Sequence, residues 1–405
     1  RGAVRARIRL LETARSFSHT QYTSTIRCWI PAAVLPAIRK ELDALTDGKA
    51  ALAETNPRSL PAEFLAAHPV PVLLKNRTLF KPFEFLISNY GYPEYGEIEP
   101  TPIVGLGFLA MFGIMFGDVG QGAVLFVTGL VMTLLRRLKP ALRQAGLLVA
   151  MAGLSGSFFG LVYGSVFCNP HLIKPLWKEP LANPDDILVL FGATIAFGVL
   201  WINVGLLLNM INRIRARDWR GVFLEKTGLP GIIFYWGALV LLAGGGLLGL
   251  RITPPLVLLL TGVPLLVLFL REPLYGLFTR TALFPHGVFS FIMEGVVELI
   301  DTLSYFMGNT VSFVRVGAFA LAHSGLSLAF MKLYELVGGG AGGIAVLVFG
   351  NLLIIVLEGM VVSIQTMRLE YYEFFSKFYS GSGHPFTPFR LAAGKIEYLS
   401  LHPSE

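Results

Sequence analysis

Ionisable residues sit inside the last two apolar stretches of the chain, among them Glu294, Glu298, Asp301, Arg315, His323, Glu358 and Arg368. An arginine at mid-bilayer costs about 2.5–3.5 kcal/mol on insertion scales, so such a group faces a partner or a water-filled cavity rather than lipid. Arginine keeps its proton in practice, which makes Arg315 and Arg368 permanent charges. Fixed cations among carboxylates and a histidine, all in apolar surroundings, are the makings of an ion pathway.

Spacing sharpens this. Positions 294, 298, 301, 305, 308, 312 and 315 step by three and four, so they share one helix face, and they read Glu, Glu, Asp, Tyr, Gly, Ser, Arg. Leu, Ile, Val, Phe and Met fill much of the rest. That predicts an inside-out amphipathic helix whose polar stripe, Ser312 included, is buried. Glu358 and Arg368 are ten residues apart with Gln365 between them, about three helical turns. Blander readings stand beside these. Glu294, Glu298 and Glu335 fit solvated charges at span ends, and Glu294 and Glu298 otherwise line a half-channel. His323 fits a packing histidine, and Arg315 or Arg368 a static salt bridge. A lone structural pair leaves the rest of the stripe unexplained. Asp118, in a Gly-rich turn, reads as a turn residue rather than a proton carrier.

The elements that must hold these groups are membrane spans. Hydrophobic residues make up 54% of the 405-residue chain and charged ones only 15%, with mean hydropathy +0.64. A soluble domain carries roughly 25% charged residues, so this chain cannot cover a water-facing surface and lipid is its solvent. The fold class is an all-α polytopic membrane protein of about eight transmembrane helices, the last two long and tilted, after the remnant of an α/β cytoplasmic domain. Expected spans are 103–117, 121–138, 145–163, 187–211, 231–250, 255–270, 287–337 and 344–379. The first two are separate because residues 117–122, Gly-Asp-Val-Gly-Gln-Gly, interrupt the run. One helix there would be about 50 Å long, against a core of ~30 Å. The last two runs reach roughly 75 Å and 54 Å as single helices and must tilt or begin outside the core. Residues 338–343, all Gly but Ala341, make the turn between them. Gly156, Gly160 and Gly164 form a double GxxxG, read as close packing within the chain.

Residues 1–60 read as the C-terminal remnant of a cytoplasmic domain, with a strand over Thr23–Trp29 and an amphipathic helix from Pro31 to Leu45. The chain begins with Arg1 and is expected to be an N-terminally truncated piece, with no signal peptide. Residues 61–102 are a linker and the approach to the membrane, 103–379 the transmembrane ion-translocating domain, and 380–405 a cytoplasmic tail. The net charge of +7 does not signal nucleic acid, because the basic residues cluster between apolar runs. Eleven of them lie in loops on the N-terminal side against three on the other, which puts both termini in the cytoplasm. Cys28 and Cys168 then fall on opposite sides of the membrane as two unpaired thiols. There is no Walker A loop, HExxH, CxxC or strand-linked GxGxxG, so no catalytic residue, cofactor or metal site is expected.

At the charged stretches the sequence resembles a known family. Residues 312–327, from Ser312-Phe-Val-Arg315 to Ala-His323-Ser-Gly-Leu-Ser327, resemble the SYxRLxALxLAHxxLS stretch of the large membrane stator subunit of V-type and A-type rotary ATPases. That protein is subunit a, or subunit I in bacteria and archaea. Glu358-Gly, Arg368-Leu-Glu and Phe374-Phe-Ser-Lys-Phe-Tyr379 are similar to its final span. Phe80-Lys-Pro-Phe-Glu84, Tyr90-Gly-Tyr-Pro93, Glu99-Pro-Thr101 and Met115-Phe-Gly-Asp-Val-Gly120 are similar to its approach to the membrane. Gly383-His-Pro-Phe-Thr-Pro-Phe389 is similar to its tail.

The resemblance runs from about Thr23 to Phe389 with its blocks in order. It implies a non-catalytic, ion-translocating subunit of a rotary ATPase or ATP synthase, with two offset half-channels and the proton as the expected ion. Arg315 aligns with the family's essential arginine, which faces the rotor carboxylates, and Arg368 with its second arginine. Asp301 falls in the cytoplasmic half-channel, Glu358 and His323 on the outer side. Rotor-ring proteolipids, peripheral-stalk and central-stalk-cap subunits and the lipid bilayer are the implied partners. A bacterial inner membrane is the implied location. Two departures stand out: Val316-Gly317 follow Arg315 where relatives carry Leu-Trp, and Gln365 replaces a frequent His. The competing reading is a secondary transporter that uses the buried charges for coupling, though no internal repeat supports it.

Overall fold

The computed structural model describes residues 8, 11–15, 17–167, 169, 173–177, 183–244, 253–279, 287–338 and 340–388. The chain divides into two compact units, Arg1–Leu73 with Gly383–Glu405, and Leu74–Ser382.

In the first unit β1 (Ser18–His19) pairs antiparallel with β2 (Ser24–Thr25). The strand expected over Thr23–Trp29 is thus two residues long. His19 fixes the turn, its ring nitrogens lying 2.8 Å from Ser24 Oγ and 2.9 Å from the Ala14 carbonyl. The helix expected from Pro31 is α1 (Leu35–Thr46), with Pro36 in its first turn, where a missing N–H costs nothing. Residues 56–71 hold a 3₁₀ turn and a short helix, α2 (Ala62–Ala67). β3 (Pro71–Val72) then runs parallel to β4 (His384–Pro385).

The second unit is helical. α3 (Glu84–Tyr90) leads to α4 (Thr101–Phe116) and α5 (Val119–Leu134), the two short apolar helices that the Gly-rich turn predicts. Asp118 caps α5 by accepting from the Gln121 N–H at 2.9 Å, and also takes the Ser165 hydroxyl at 2.7 Å and the Phe167 N–H at 3.0 Å. It does a turn residue's work. α6 (Pro140–Tyr163) lies along α5, and a side chain at Gly160 would strike the Val119 backbone. The GxxxG run is therefore a packing seam within the chain. α7 (Pro184–Arg215), α8 (Trp219–Leu224) and α9 (Leu229–Gly244) follow. α10 (Pro254–Phe269) contains a π turn and meets α11 (Arg271–Thr279) at a 62° bend. Part of the span expected at 231–250, and Cys168, lie outside the described residues.

The last two spans are long, as expected, but neither is uniform. The first is α12 (Val288–Ser312) and α13 (Val314–Leu336), with Phe313 as the break between them. Phe313 is fully buried against Gly198 of α7, and that contact fixes the break. The second, α14 (Gly340–Lys377), carries π turns at Ile354–Glu358 and Leu369–Phe374. It begins at Gly340, so Gly342 and Gly343 lie in the helix rather than in the turn. Among the described residues five helices are long and apolar enough to cross a membrane: α6, α7, the α8–α9 pair, the α12–α13 pair and α14.

The buried polar stripe is overturned. The inward face of α12 is Phe291, Gly295, Thr302 and Phe306, with Phe306 stacked on Tyr235 of α9. Glu294, Asp301 and Gly308 are exposed, and Glu298, Tyr305 and Ser312 are half-buried. Aromatic and small residues pack against this chain's own helices, and the polar face is left at the surface.

At the end where α7 carries Arg213 and Arg215, aromatic rings tie α14 to the approach segment. Tyr90 packs on Tyr371, Phe375 and Tyr379 at ring separations of 5.4, 5.0 and 5.8 Å. Tyr371 and Tyr379 donate to the Leu86 and Gly91 carbonyls at 2.7 and 2.8 Å. Their rings bury apolar area while their hydroxyls satisfy exposed carbonyls. This clamp holds the end of the last span in register.

Candidate functional site

His323 projects from the buried face of α13 that also carries Val316, Gly317 and Ala320. Its Nδ1 lies 2.8 Å from Oε2 of Glu358, with 2% and 6% of the two residues exposed. Glu358 closes the first π turn of α14. The extra residue of a π turn re-aims a side chain off the α-helical row, which is why such turns collect at functional sites. Phe116 packs against the imidazole at 5.3 Å, and Nε2 is buried without a hydrogen-bond partner. His323 is buried, as a packing histidine is, and its partner is a carboxylate.

Arg315 stands in the first turn of α13, eight residues before His323, about 12 Å along the helix. It is half-buried, and its Nη1 is fully buried with no hydrogen-bond partner. The charges of Arg368 and Glu373 act on it. Among the described residues it makes no ion pair, so the static salt bridge considered for Arg315 is absent. Ser312 Oγ donates to the Gly308 carbonyl at 2.9 Å. On α14, Gln365 buries an unpartnered amide oxygen, while Arg368 is exposed.

Towards the basic end the stripe meets basic residues of other segments. Asp301 pairs with Lys226, in the turn between α8 and α9. Glu298 accepts from Arg271, at the α10–α11 bend, at 3.2 Å. Glu294 accepts from Ser290 at 2.9 Å. A hollow of about 40 Å³, room for roughly one water, lies here between Arg271, Glu272, Glu294 and Glu298. Outside the spans, Glu97 accepts from the Glu94 N–H at 2.9 Å and the Ser380 hydroxyl at 3.1 Å. Burial nevertheless pushes its carboxyl above the usual carboxylate range.

Three further charged groups belong to this constellation and were missed from sequence: Glu370, Glu373 and Lys377, all within 5% of complete burial. Lys377 Nζ sits 3.4 Å from the centre of the Tyr305 ring, which Lys226 also approaches at 5.3 Å. Such a cation–π contact stabilises a desolvated ammonium by about 2 kcal/mol. Tyr305 donates to the Ser376 carbonyl at 3.2 Å. Glu370 is fully buried, and neither carboxylate oxygen has a hydrogen-bond partner of standard geometry; the Trp201 indole faces it. A side chain at Gly107 would collide with both. The available signal was the three- and four-residue spacing of 370, 373 and 377 in an apolar run. Among the described residues no His, Cys, Asp and Glu cluster could hold a metal ion.

The V-type ATPase 116 kDa subunit family model matches residues 9–186 and 286–391, a range that includes all nine site residues expected from sequence. A-type ATP synthase subunit I of Methanocaldococcus jannaschii is 26% identical over 422 aligned residues, covering 94% of this chain and 57% of that one. The same subunit of Pyrococcus horikoshii is 29% identical, covering 94% and 55%. V-type ATP synthase subunit I 2 of Treponema pallidum is 30% identical over 229 residues, covering 52% and 50%. The chain thus spans about half the length of the curated relatives it matches.

Proposed function

The chain belongs to the V-type ATPase 116 kDa subunit family, and from that premise we propose that it is the ion-translocating stator subunit of a rotary ATPase or ATP synthase. It hydrolyses nothing itself. It offers two offset half-channels to a passing ring of rotor carboxylates, with Arg315 between them.

The observation that carries this reading is Arg315 itself. A guanidinium half-buried in an apolar span, with a fully buried nitrogen and no ion pair among the described residues, calls for an outside anion. The stripe of α12 leads to it, with Glu294, Asp301 and Gly308 at the surface. Lipid does not satisfy such a face. A ring of carboxylate-bearing helices supplies the anion that Arg315 lacks. A rotor carboxylate drawn to Arg315 stays ionised there, because an adjacent cation favours the charged form. Leaving that cation, it takes up an ion from the next half-channel.

Asp301 and Glu298 line the cytoplasmic approach, with Glu294 and Ser312 on the same stripe, and His323 and Glu358 serve the outer one beside Gln365. The outer pair favours the proton as the ion, since an imidazole relays protons and repels metal cations once charged. Arg368 adds a second fixed charge near the crossing. The eight crossings of this reading are the five long helices, the bent α10–α11 pair and the short apolar helices α4 and α5. Both termini lie in the cytoplasm of a bacterial cell. The rotor proteolipids, the peripheral stalk and the central-stalk cap are its partners.

ATP-driven acidification of vesicles carrying the complete complex tests this. Arg315→Gln should abolish pumping while the complex still assembles. Normal pumping in that variant sinks the reading.

A further inference from the structure

Glu373 is buried on the last span, and the pathway above does not use it. Its residue is 5% exposed, and one carboxylate oxygen has no hydrogen-bond partner. The charges of Arg315, Arg368 and Lys377 all act on it, and the Ser312 hydroxyl stands beside it. Yet none of the ion pairs among the described residues joins any two of these groups. The carboxylate is shared among the cations at a distance and bound to none.

The charge balance is uneven. Two guanidiniums, which cannot lose their protons, face one carboxylate. Lys377, buried with its Nζ on the Tyr305 ring, is a further cationic group beside it. The cluster is short of an anion even with Glu373 present, and without it the two guanidiniums would act on each other with no carboxylate between them.

We infer that Glu373 is the resident counter-ion of Arg315, holding the guanidinium between visits of successive rotor carboxylates and yielding it when one arrives. The inference rests on the stator function proposed above. Its physics is a competition. A bare buried guanidinium is costly, so the unoccupied site needs an anion. An anion in direct, bidentate contact would cap Arg315 and exclude the rotor. A carboxylate near the guanidinium but not bonded to it does the first without the second. Removing its charge makes Arg315 grip each rotor carboxylate more tightly, so rotation slows while ions and ATP stay coupled. A role confined to holding the fold would leave turnover unchanged in whatever complex assembles.

The test is ATP hydrolysis and acidification measured together in vesicles holding the complete complex, for E373Q, E373D and Arg315→Gln. Turnover in E373Q should fall about tenfold, the loss expected for one close charge pair at the weak end of its range. The ratio of pumping to hydrolysis and the amount of complex should be unchanged. E373D keeps the charge and should restore most of the rate. Wild-type turnover in E373Q overturns the inference, as does equal slowing in E373D. Failure of E373Q to assemble where E373D assembles also overturns it, because the charge is then structural. If Arg315→Gln pumps normally, the stator reading falls and the counter-ion with it. If Arg315→Gln is inactive and E373Q turns over normally, only the counter-ion falls.

Discussion

His323 and Glu358 pair with each other, from two spans of one bundle and out of water. Asp301 and Glu298, their side chains 53% and 22% exposed, instead take partners from basic connecting segments, Lys226 and Arg271. The two ends of the proposed path therefore differ in what a charge change costs. A buried pair that loses one partner leaves the other stranded, at about 3–5 kcal/mol. An exposed pair is worth roughly 0.2–1 kcal/mol, because water replaces the missing partner. The difference teaches that, on the proposed reading, the outer groups form a fixed relay and the cytoplasmic ones a solvated funnel. Arg315 lies where the two regimes meet.

That contrast can be broken by substitution. Glu358→Gln keeps the shape and removes the charge facing His323. Pumping should fall about a hundredfold, the low end for a group in the line of proton transfer, with the complex still assembled. A rate within twofold of wild type would make the pair structural. Asp301→Asn should slow pumping only about two- to fivefold, the scale of an exposed ion pair, leaving coupling intact. An effect as large as that of Glu358→Gln would erase the distinction between the ends. Arg271→Gln, which frees Glu298, should change pumping by less than about twofold.

The smallest effect concerns Glu97, beside the aromatic clamp. Its carboxyl is raised by burial, so the folded chain holds that proton more tightly than the unfolded one. The stability it contributes is complete below the ordinary carboxylate value and is lost as pH rises through the raised one. Amide exchange around Glu94–Glu97, corrected for its intrinsic pH dependence, should quicken across that window, and Glu97→Gln should flatten the change. A flat wild-type profile would dissociate this carboxyl from the clamp.

Much of this was legible in the chain. The Gly-rich run at 117–122 announced two short helices, and apolar length announced the last two spans. The charges inside those spans marked the candidate site before any contact was known. The break at Phe313 was not legible, because it depends on the space that Gly198 leaves on another helix. The polar stripe was placed on the wrong side for a related reason. Helical periodicity shows that Glu294, Asp301 and Arg315 share a face, but not whether that face meets this chain or another. Glu370, Glu373 and Lys377 escaped notice because they close an apolar run, where charges read as solvated ends. Only packing against Trp201, Tyr305 and the Tyr90 clamp buries them.

The central claim is that Arg315 separates two half-channels that would otherwise connect. Its most direct test is the decay of an imposed proton gradient in vesicles holding the complete complex without nucleotide, wild type against Arg315→Ala. The account predicts a tight wild type and a rapid leak through the variant, blocked when the rotor carboxylates are chemically modified. Equal tightness in both would contradict it, and Arg315 would no longer stand between the two halves of an ion path.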